Sequence, residues 1–245
     1  MTHVFYAVSA GSAEPGHLLI LDGDEGHHAV KVRRIETGEQ IEIIDGLGAR
    51  AAGTVQSVSK QACVMLVESI EHDAEVVPPL TVIQALTKKD RADQVIELLT
   101  EVGVDTIIPW RAQRSVMKEV PAKWARIVVE SCKQSRQARF PDVHEVTETA
   151  QIVQGVRDQV TLGAQVLICH ERATAPIAEA VRADATGYVI VIGPEGGLTD
   201  DEISALVDAG GQLVLMGPSV LRAATAGAVA ASIVSAVSGR WVARG

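Results

Sequence analysis

Cysteine is scarce in this 245-residue chain, a bilayer-length apolar run is absent, and so are the common phosphate-binding motifs. Its three cysteines, Cys63, Cys132 and Cys169, are widely spaced with no CxxC pair, which removes the case for a disulfide framework or a zinc site. They read as reduced thiols in or near cores. No stretch approaches the ~20 apolar residues that span a bilayer. The opening MTHVFYAVSAG also lacks a basic segment followed by an apolar one. A cytoplasmic protein is expected, with neither a membrane nor a metal as partner. No GxGxxG opens a helix after the first strand and no GxxxxGK[ST] occurs, so dinucleotide and nucleoside-triphosphate readings lose their main support.

A formal net charge of −9 argues against indiscriminate nucleic-acid binding, but the charge is unevenly spread. Between Arg111 and Arg139 stand eight basic residues (Arg111, Arg114, Lys118, Lys123, Arg126, Lys133, Arg136, Arg139) against Glu119 and Glu130, locally +6. From Glu145 to Leu215 eleven acidic residues face three arginines, or −8. A phosphate-contacting surface, if there is one, belongs in the first stretch.

Residues 1–72 read as a small β-rich domain, with strands at His3–Ala7, His17–Leu21, Gln40–Ile44, Ala51–Val58 and Cys63–Ile70 and turn signals such as Asp45-Gly46. Gly26–Ile35 is the exception, a breaker-free basic segment that allows a short helix. His27 and His28 within it have no Asp, Cys or third His at ligand spacing, so structural or RNA-contacting roles are favoured over a metal. Residues 73–80, with consecutive prolines, form the linker. Over 81–245 strands and helices alternate. Thr81–Leu86, Thr106–Ile108, Gln165–Cys169, Tyr188–Ile192 and Leu213–Met216 are strands. Asp90–Val102, Trp124–Ser135 and Ala223–Val237 are helices, as is a segment opened by Thr199-Asp200-Asp201-Glu202, which has the form of a capping box. This pattern predicts an α/β parallel sheet with helices on both faces, and ligands in such sheets bind beyond the strand carboxyl ends.

Three turns lie at such ends: Cys169-His170-Glu171, Gly193–Gly197 and Gly217–Arg222. Glycines at 193, 196, 197 and 217 let backbone approach a ligand closely, which suits a neutral-to-cationic nucleoside more than a phosphate. GPEGG followed some twenty residues later by a second glycine turn and Val220-Leu221-Arg222 resembles the signature of the RsmE family, the bacterial 16S ribosomal RNA uracil-N3 methyltransferases of the SPOUT group. Arg114-Ser115-Val116, Lys123-Trp124 through Ile127, and Gln134-Ser135 with Arg136, Arg139 and Pro141 resemble further family elements, so the likeness covers nearly the whole chain.

The resemblance implies a SPOUT-type parallel sheet with a C-terminal trefoil knot, preceded by a small PUA-like β-barrel that contributes to RNA binding. It implies that S-adenosylmethionine (SAM) is held by Cys169 and His170, by Ile192, Gly193, Pro194, Glu195, Gly196 and Gly197, and by Leu215, Gly217, Val220 and Leu221. RNA contacts are implied at Lys31, Arg33 and Arg34 and at Arg114, Ser115, Gln134, Arg136 and Arg139. The substrate would be 16S RNA in the small subunit, with Arg222 as the cation on the developing uridine anion and Glu195 as a base. A homodimer paired through the small-residue helix Ala223–Val237 is also expected. One departure stands out, because the family's glutamate two residues after the arginine is Ala224 here. Rival readings are another SPOUT activity, such as ribose 2′-O-methylation, and a non-catalytic RNA-binding assembly factor.

Overall fold

The computed structural model describes residues 2–117, 119 and 122–241, and the chain divides into two compact units. The first consists of Met1–Glu75 together with Val129–Phe140. The latter segment lies within the 81–245 region that the linker at 73–80 sets apart.

Five strands make the sheet of the first unit: β1 (His3–Tyr6), β2 (Leu18–Leu21), β3 (Gln40–Ile44), β4 (Ala49–Val58) and β5 (Cys63–His72), in the order β1-β3-β4-β5-β2. Only the β1–β3 pair is parallel. Phe5 of one edge strand and Leu19 and Leu21 of the other enter a single core with Ile41, Ile43 and Met65, so the sheet curls round its own apolar face. A helix does occupy the expected basic segment, but earlier and in two parts, α1 (Gly23–His27) and a π-helical turn at His28–Val32.

The Val129–Phe140 segment is held in this unit by charge. Lys133, buried, bonds Glu25 at 2.7 Å and Glu130 at 3.1 Å. The buried Arg50 guanidinium pairs with Glu42 and Asp73 and donates to the Arg136 carbonyl at 3.0 Å. Arg139 donates to the Asp73 carbonyl at 2.7 Å.

The second unit, Val76–Val128 with Pro141–Gly245, is built on a wholly parallel seven-stranded sheet. Its strands are β6 (Leu80–Ala85), β7 (Thr106–Arg111), β8 (Asp142–Val143), β9 (Thr147–Glu148), β10 (Gln165–Cys169), β11 (Tyr188–Ile192) and β12 (Gln212–Val214). They run in the order β12-β10-β11-β6-β7-β8, with β9 also on β7. The unbroken run of β11 is buried at every position, as a central strand covered on both faces requires.

Helices α2 (Lys89–Glu101), α3 (Trp124–Ser135), α4 (Thr149–Thr161), α5 (Ile177–Ala180), α6 (Asp200–Asp208) and α7 (Ala223–Val237) complete the chain order. Alternate residues of β6 serve opposite faces: Ile83 and Ala85 join the core with Ile152 and Val156 of α4 and Leu206 of α6, while Val82 and Gln84 face Gly227 of α7. A Cβ at Gly227 would stand 3.0 Å from Gln84 Oε1 and 3.1 Å from Leu99 of α2. The small residues of α7 therefore bring that helix close to its own sheet, the close approach that the sequence reading assigned to a second subunit.

β7 runs through Pro109, three residues beyond its expected end. Trp110 turns its carbonyl towards β6, accepting from Leu86 N–H at 2.9 Å, and Ile107 turns its carbonyl to the other side. Pro109 thus faces the side where β8 pairs only at Thr106 and Ile107 and β9 only at Trp110 and Arg111. Its missing N–H falls in the gap between them, where no ladder bond is lost.

After α7, buried Arg240 donates to the carbonyls of Pro78, Val76 and Gly103 and pairs with Asp105 at 2.9 Å. Asp105 also accepts the Leu80 N–H at 2.7 Å. Among the described residues no helix is long and apolar enough to cross a membrane, and no group of three metal-ligating side chains occurs.

Candidate active site at the carboxyl edge of the parallel sheet

Register aligns the strand ends: Cys169 lies opposite Ile192 and Val214, and Ile192 opposite Gln84. The segments after β10, β11, β12 and β6 therefore leave the sheet on one edge. There they enclose a cleft of about 820 Å³. All twelve cofactor positions implied by the resemblance line it: Cys169, His170, Ile192, Gly193, Pro194, Glu195, Gly196, Gly197, Leu215, Gly217, Val220 and Leu221. Arg222 and Glu171 line it as well.

The first turn is fixed from three sides. Gly197 has φ +71°, a conformation that glycine adopts without strain, and its N–H closes on the Pro194 carbonyl at 2.9 Å. Thr199 then caps α6 through the full capping box with Glu202. The buried Glu202 carboxylate also accepts the Gln113 N–H at 2.8 Å. Next to Gln113, Arg114 Nη1 donates to the carbonyls of Gly196 at 2.9 Å and Leu198 at 3.3 Å. On the third side Glu195 Oε1 accepts the N–H of Lys88, the residue that caps α2, at 3.0 Å.

The other walls are simpler. His170 donates its N–H to Val214 and accepts the Arg172 N–H on Nδ1 at 3.1 Å. Burial pushes the Cys169 thiol up to about 12, so it is a neutral wall and not a nucleophile. Arg222 stands at the N-cap of α7, where its carbonyl accepts from Thr225 Oγ1 and Ala226 N–H. Its guanidinium is exposed and has no ion-pair partner among the described residues.

Two lining cations, Lys88 and Arg91, escaped the sequence reading. The rule that ligands sit beyond strand carboxyl ends applies equally to β6, whose following turn holds Lys88.

The implied RNA contacts fall in two places. Lys31, Arg33, Arg34 and Gln134 are exposed on the first unit, and Arg33 Nε donates to His28 Nε2 at 3.2 Å. Burial first, then the Lys133 cation, pushes the His28 pKa below its ordinary value, which keeps that ring neutral and able to accept. Arg136 and Arg139 belong to the same unit but bond main-chain carbonyls, Thr2 and Asp73 respectively. Arg114 and Ser115 lie instead beside the cleft turn of the second unit. Several charges of the basic run are already paired, as Arg111 with Glu148, Lys123 with Asp93 and Lys133 with Glu25, and Lys118 lies outside the described residues.

Residues 75–235 match the RNA methyltransferase domain family, and residues 21–67 match the RNA methyltransferase PUA domain. The ribosomal RNA small subunit methyltransferase E of Mycobacterium bovis is 41% identical over 235 residues, which cover 93% of this chain and 90% of that protein. The chain belongs to this methyltransferase E family. A Legionella pneumophila structure described as a methyltransferase with bound SAM is 26% identical, with a TM-score of 0.84 over 96% of this chain and 98% of that one. The methyltransferase E of Neisseria gonorrhoeae, solved with S-adenosyl methionine, shares the fold at a TM-score of 0.85 and 24% identity, over 97% of this chain and 98% of that one.

Set against the family pattern, Ala224 is 4% exposed and does not line the cleft, although its neighbours Ala223 and Ala226 do. The carboxylates that line it are Glu171 and Glu195.

Proposed function

We propose that this chain uses SAM to methylate N3 of a specific uridine in 16S ribosomal RNA of the small subunit, near the 3′ end in the decoding region. The observation that carries the proposal is that a single cleft gathers every implied cofactor position and Arg222, which has no ion-pair partner among the described residues. The lining suits SAM. Ile192, Leu215, Val220 and Leu221 offer apolar surface to an adenine ring, the glycine turns offer backbone groups to its edge, and Glu171 and Glu195 offer negative charge to a cationic ligand.

When bound, SAM supplies a methyl group activated by its positive sulfur. Uridine N3 is not nucleophilic until its proton leaves, and that proton is held above neutral pH. Arg222, bonding a uracil oxygen, stabilises the anion as charge develops. Glu195 is assigned as the acceptor of the N3 proton. One of its oxygens is committed to the Lys88 amide, and the other has no hydrogen-bond partner among the described residues. A carboxylate is a weak base for such a proton, so the Arg222 cation must act first. The Gly193–Gly197 turn, fixed by Arg114 and Glu202, and the Gly217–Arg222 turn beside it orient both reactants, and orientation can account for much of the acceleration.

The same proposal divides the chain into an RNA-binding domain over 1–72, a linker over 73–80 and a catalytic domain over 81–245 whose turns lie on a trefoil knot. Lys31, Arg33, Arg34 and Gln134 serve as RNA contacts, with Arg114, Ser115, Arg136 and Arg139 supporting them. The enzyme acts in the cytoplasm as a homodimer joined beside α7, where Val229 and Val237 remain partly exposed. Sedimentation showing a monomer at micromolar concentration would remove the dimer.

The test is transfer of labelled methyl from SAM to small subunits isolated from a strain lacking the protein, followed by nucleoside analysis. N3-methyluridine supports the proposal. A 2′-O-methylated nucleoside refutes it in favour of ribose chemistry, and SAM and RNA binding without transfer refutes it in favour of an assembly factor.

A further inference from the structure

We infer that Lys88 is a substrate-positioning residue that holds a phosphodiester of the RNA beside the target nucleotide. This inference deepens the function proposed above and rests on it. Lys88 follows β6, whose register with β11 places Gln84 opposite Ile192, so it emerges on the same sheet edge as the GPEGG turn and lines the same cleft. Its side chain is exposed and has no ion-pair partner among the described residues. Its backbone amide is already used, donating to Glu195 at 3.0 Å, so the chain holds Lys88 at the cleft wall by a contact that leaves the ammonium available.

The charge balance says what that ammonium is for. Lys88 and Arg222 line the cleft as cations with no ion-pair partner among the described residues, Arg91 lines it too but is already engaged, and Glu171 and Glu195 stand on the negative side. SAM carries a sulfonium and an ammonium against one carboxylate and is itself cationic, so it does not call for two further cations. A uracil ring is neutral and engages one of them, Arg222, as its anion forms. The remaining anion brought by the substrate is its phosphodiester. At about 820 Å³ the cleft lies towards the upper end of the range for one small ligand, which leaves room for a nucleotide beside the cofactor. Lysine serves a phosphate well as a compact, adaptable point charge.

The experiment compares wild type, Lys88→Gln and Lys88→Arg by direct binding to small subunits from the strain lacking the protein, across a series of salt concentrations, and by SAM titration calorimetry. Substitution leaves the amide contact to Glu195 in place, and circular dichroism checks each fold. For Lys88→Gln the expected result is RNA binding weaker by about tenfold, a log–log salt slope reduced by about one, and SAM affinity within twofold of wild type. Lys88→Arg retains the salt slope. An unchanged slope and affinity in Lys88→Gln would overturn the inference. So would SAM affinity falling in step with RNA affinity, because the oxyanion served would then be the cofactor's carboxylate. Binding is the readout, so a wild-type protein that binds subunits but transfers no methyl sinks the function above, while the salt slopes still judge Lys88.

Discussion

Replacing Glu202 with alanine tests how the catalytic turn is held. The carboxylate accepts three hydrogen bonds, from Gln113 N–H at 2.8 Å, Thr199 N–H at 3.0 Å and Thr199 Oγ1 at 3.1 Å. Its residue is only 5% exposed. The hydroxyl can rotate to another partner, but the two amides cannot. Each N–H left unsatisfied costs about 1–3 kcal/mol, and partial access of water brings the pair to about 2–4 kcal/mol. For a chain of this size that lowers the melting temperature by about 5–15 °C. The effect does not stop at stability. With Gln113 released, Arg114 loses its own footing and slackens its hold on the Gly196 and Leu198 carbonyls, so SAM affinity falls about tenfold. Thermal unfolding by circular dichroism and SAM calorimetry measure the two effects separately. A melting temperature within about 1 °C of wild type would refute the burial argument. A large thermal loss with unchanged SAM affinity would refute the coupling of the Gln113 loop to the turn.

Arg222→Ala should lower turnover at least a hundredfold while changing SAM affinity less than threefold. Its rate should climb with pH where wild type is flat, since the uridine anion loses its cation, and equal pH profiles would exclude that role. Arg240→Met leaves Asp105 unpaired and three carbonyls without a donor. Stability should fall by about 2–4 kcal/mol, read from the shift of the denaturant midpoint, and a loss below about 0.5 kcal/mol would show the cluster to be incidental. Burial raises Cys132 and Cys169 to about 12, so the folded chain keeps protons that the unfolded chain releases from about pH 9 upward. Their contribution is full below that pH and is lost as pH rises towards 12. Alkylation of Cys169 should accelerate about tenfold per pH unit between 8 and 11 and slow when SAM is present. A plateau by pH 9 would contradict the burial argument.

The strands with strong patterns were legible. Gln40–Ile44, Gln165–Cys169 and Tyr188–Ile192 and the helices Trp124–Ser135 and Ala223–Val237 stand where periodicity placed them, because each buries what its pattern offers. Helix α4 was not legible. TAQIVQGVRDQVT carries a glycine at 155 and buries only Ile152 and Val156, and its cap is Glu148 with Gln151 in place of the usual serine, threonine or aspartate. The end of β7 was misplaced because proline normally stops a strand, and only the gap between β8 and β9 lets it continue. In the cleft, the glycine turns announced themselves through composition, whereas Lys88 depended on knowing which strand lies beside β11. The assignment of Val129–Phe140 to the first unit depended on contacts such as Lys133 with Glu25, more than a hundred residues apart, and no local pattern encodes them.

That discontinuous first unit sets an order of events on the ribosome. Its sheet is complete at His72, yet Glu25 and Arg50 meet Lys133 and the Arg136 carbonyl only after about 65 more residues, counted from Glu75 to Phe140. At about 5–20 residues per second, synthesis takes roughly 3–13 s to cover that distance. During that interval β6, α2 and β7 emerge while Glu25 still lacks its Lys133 partner and Arg50, already paired with Glu42 and Asp73, still lacks the Arg136 carbonyl. Completion of the N-terminal unit is therefore timed by the middle of the chain, and a nascent chain arrested before Val129 is a better protease substrate than one arrested beyond Phe140.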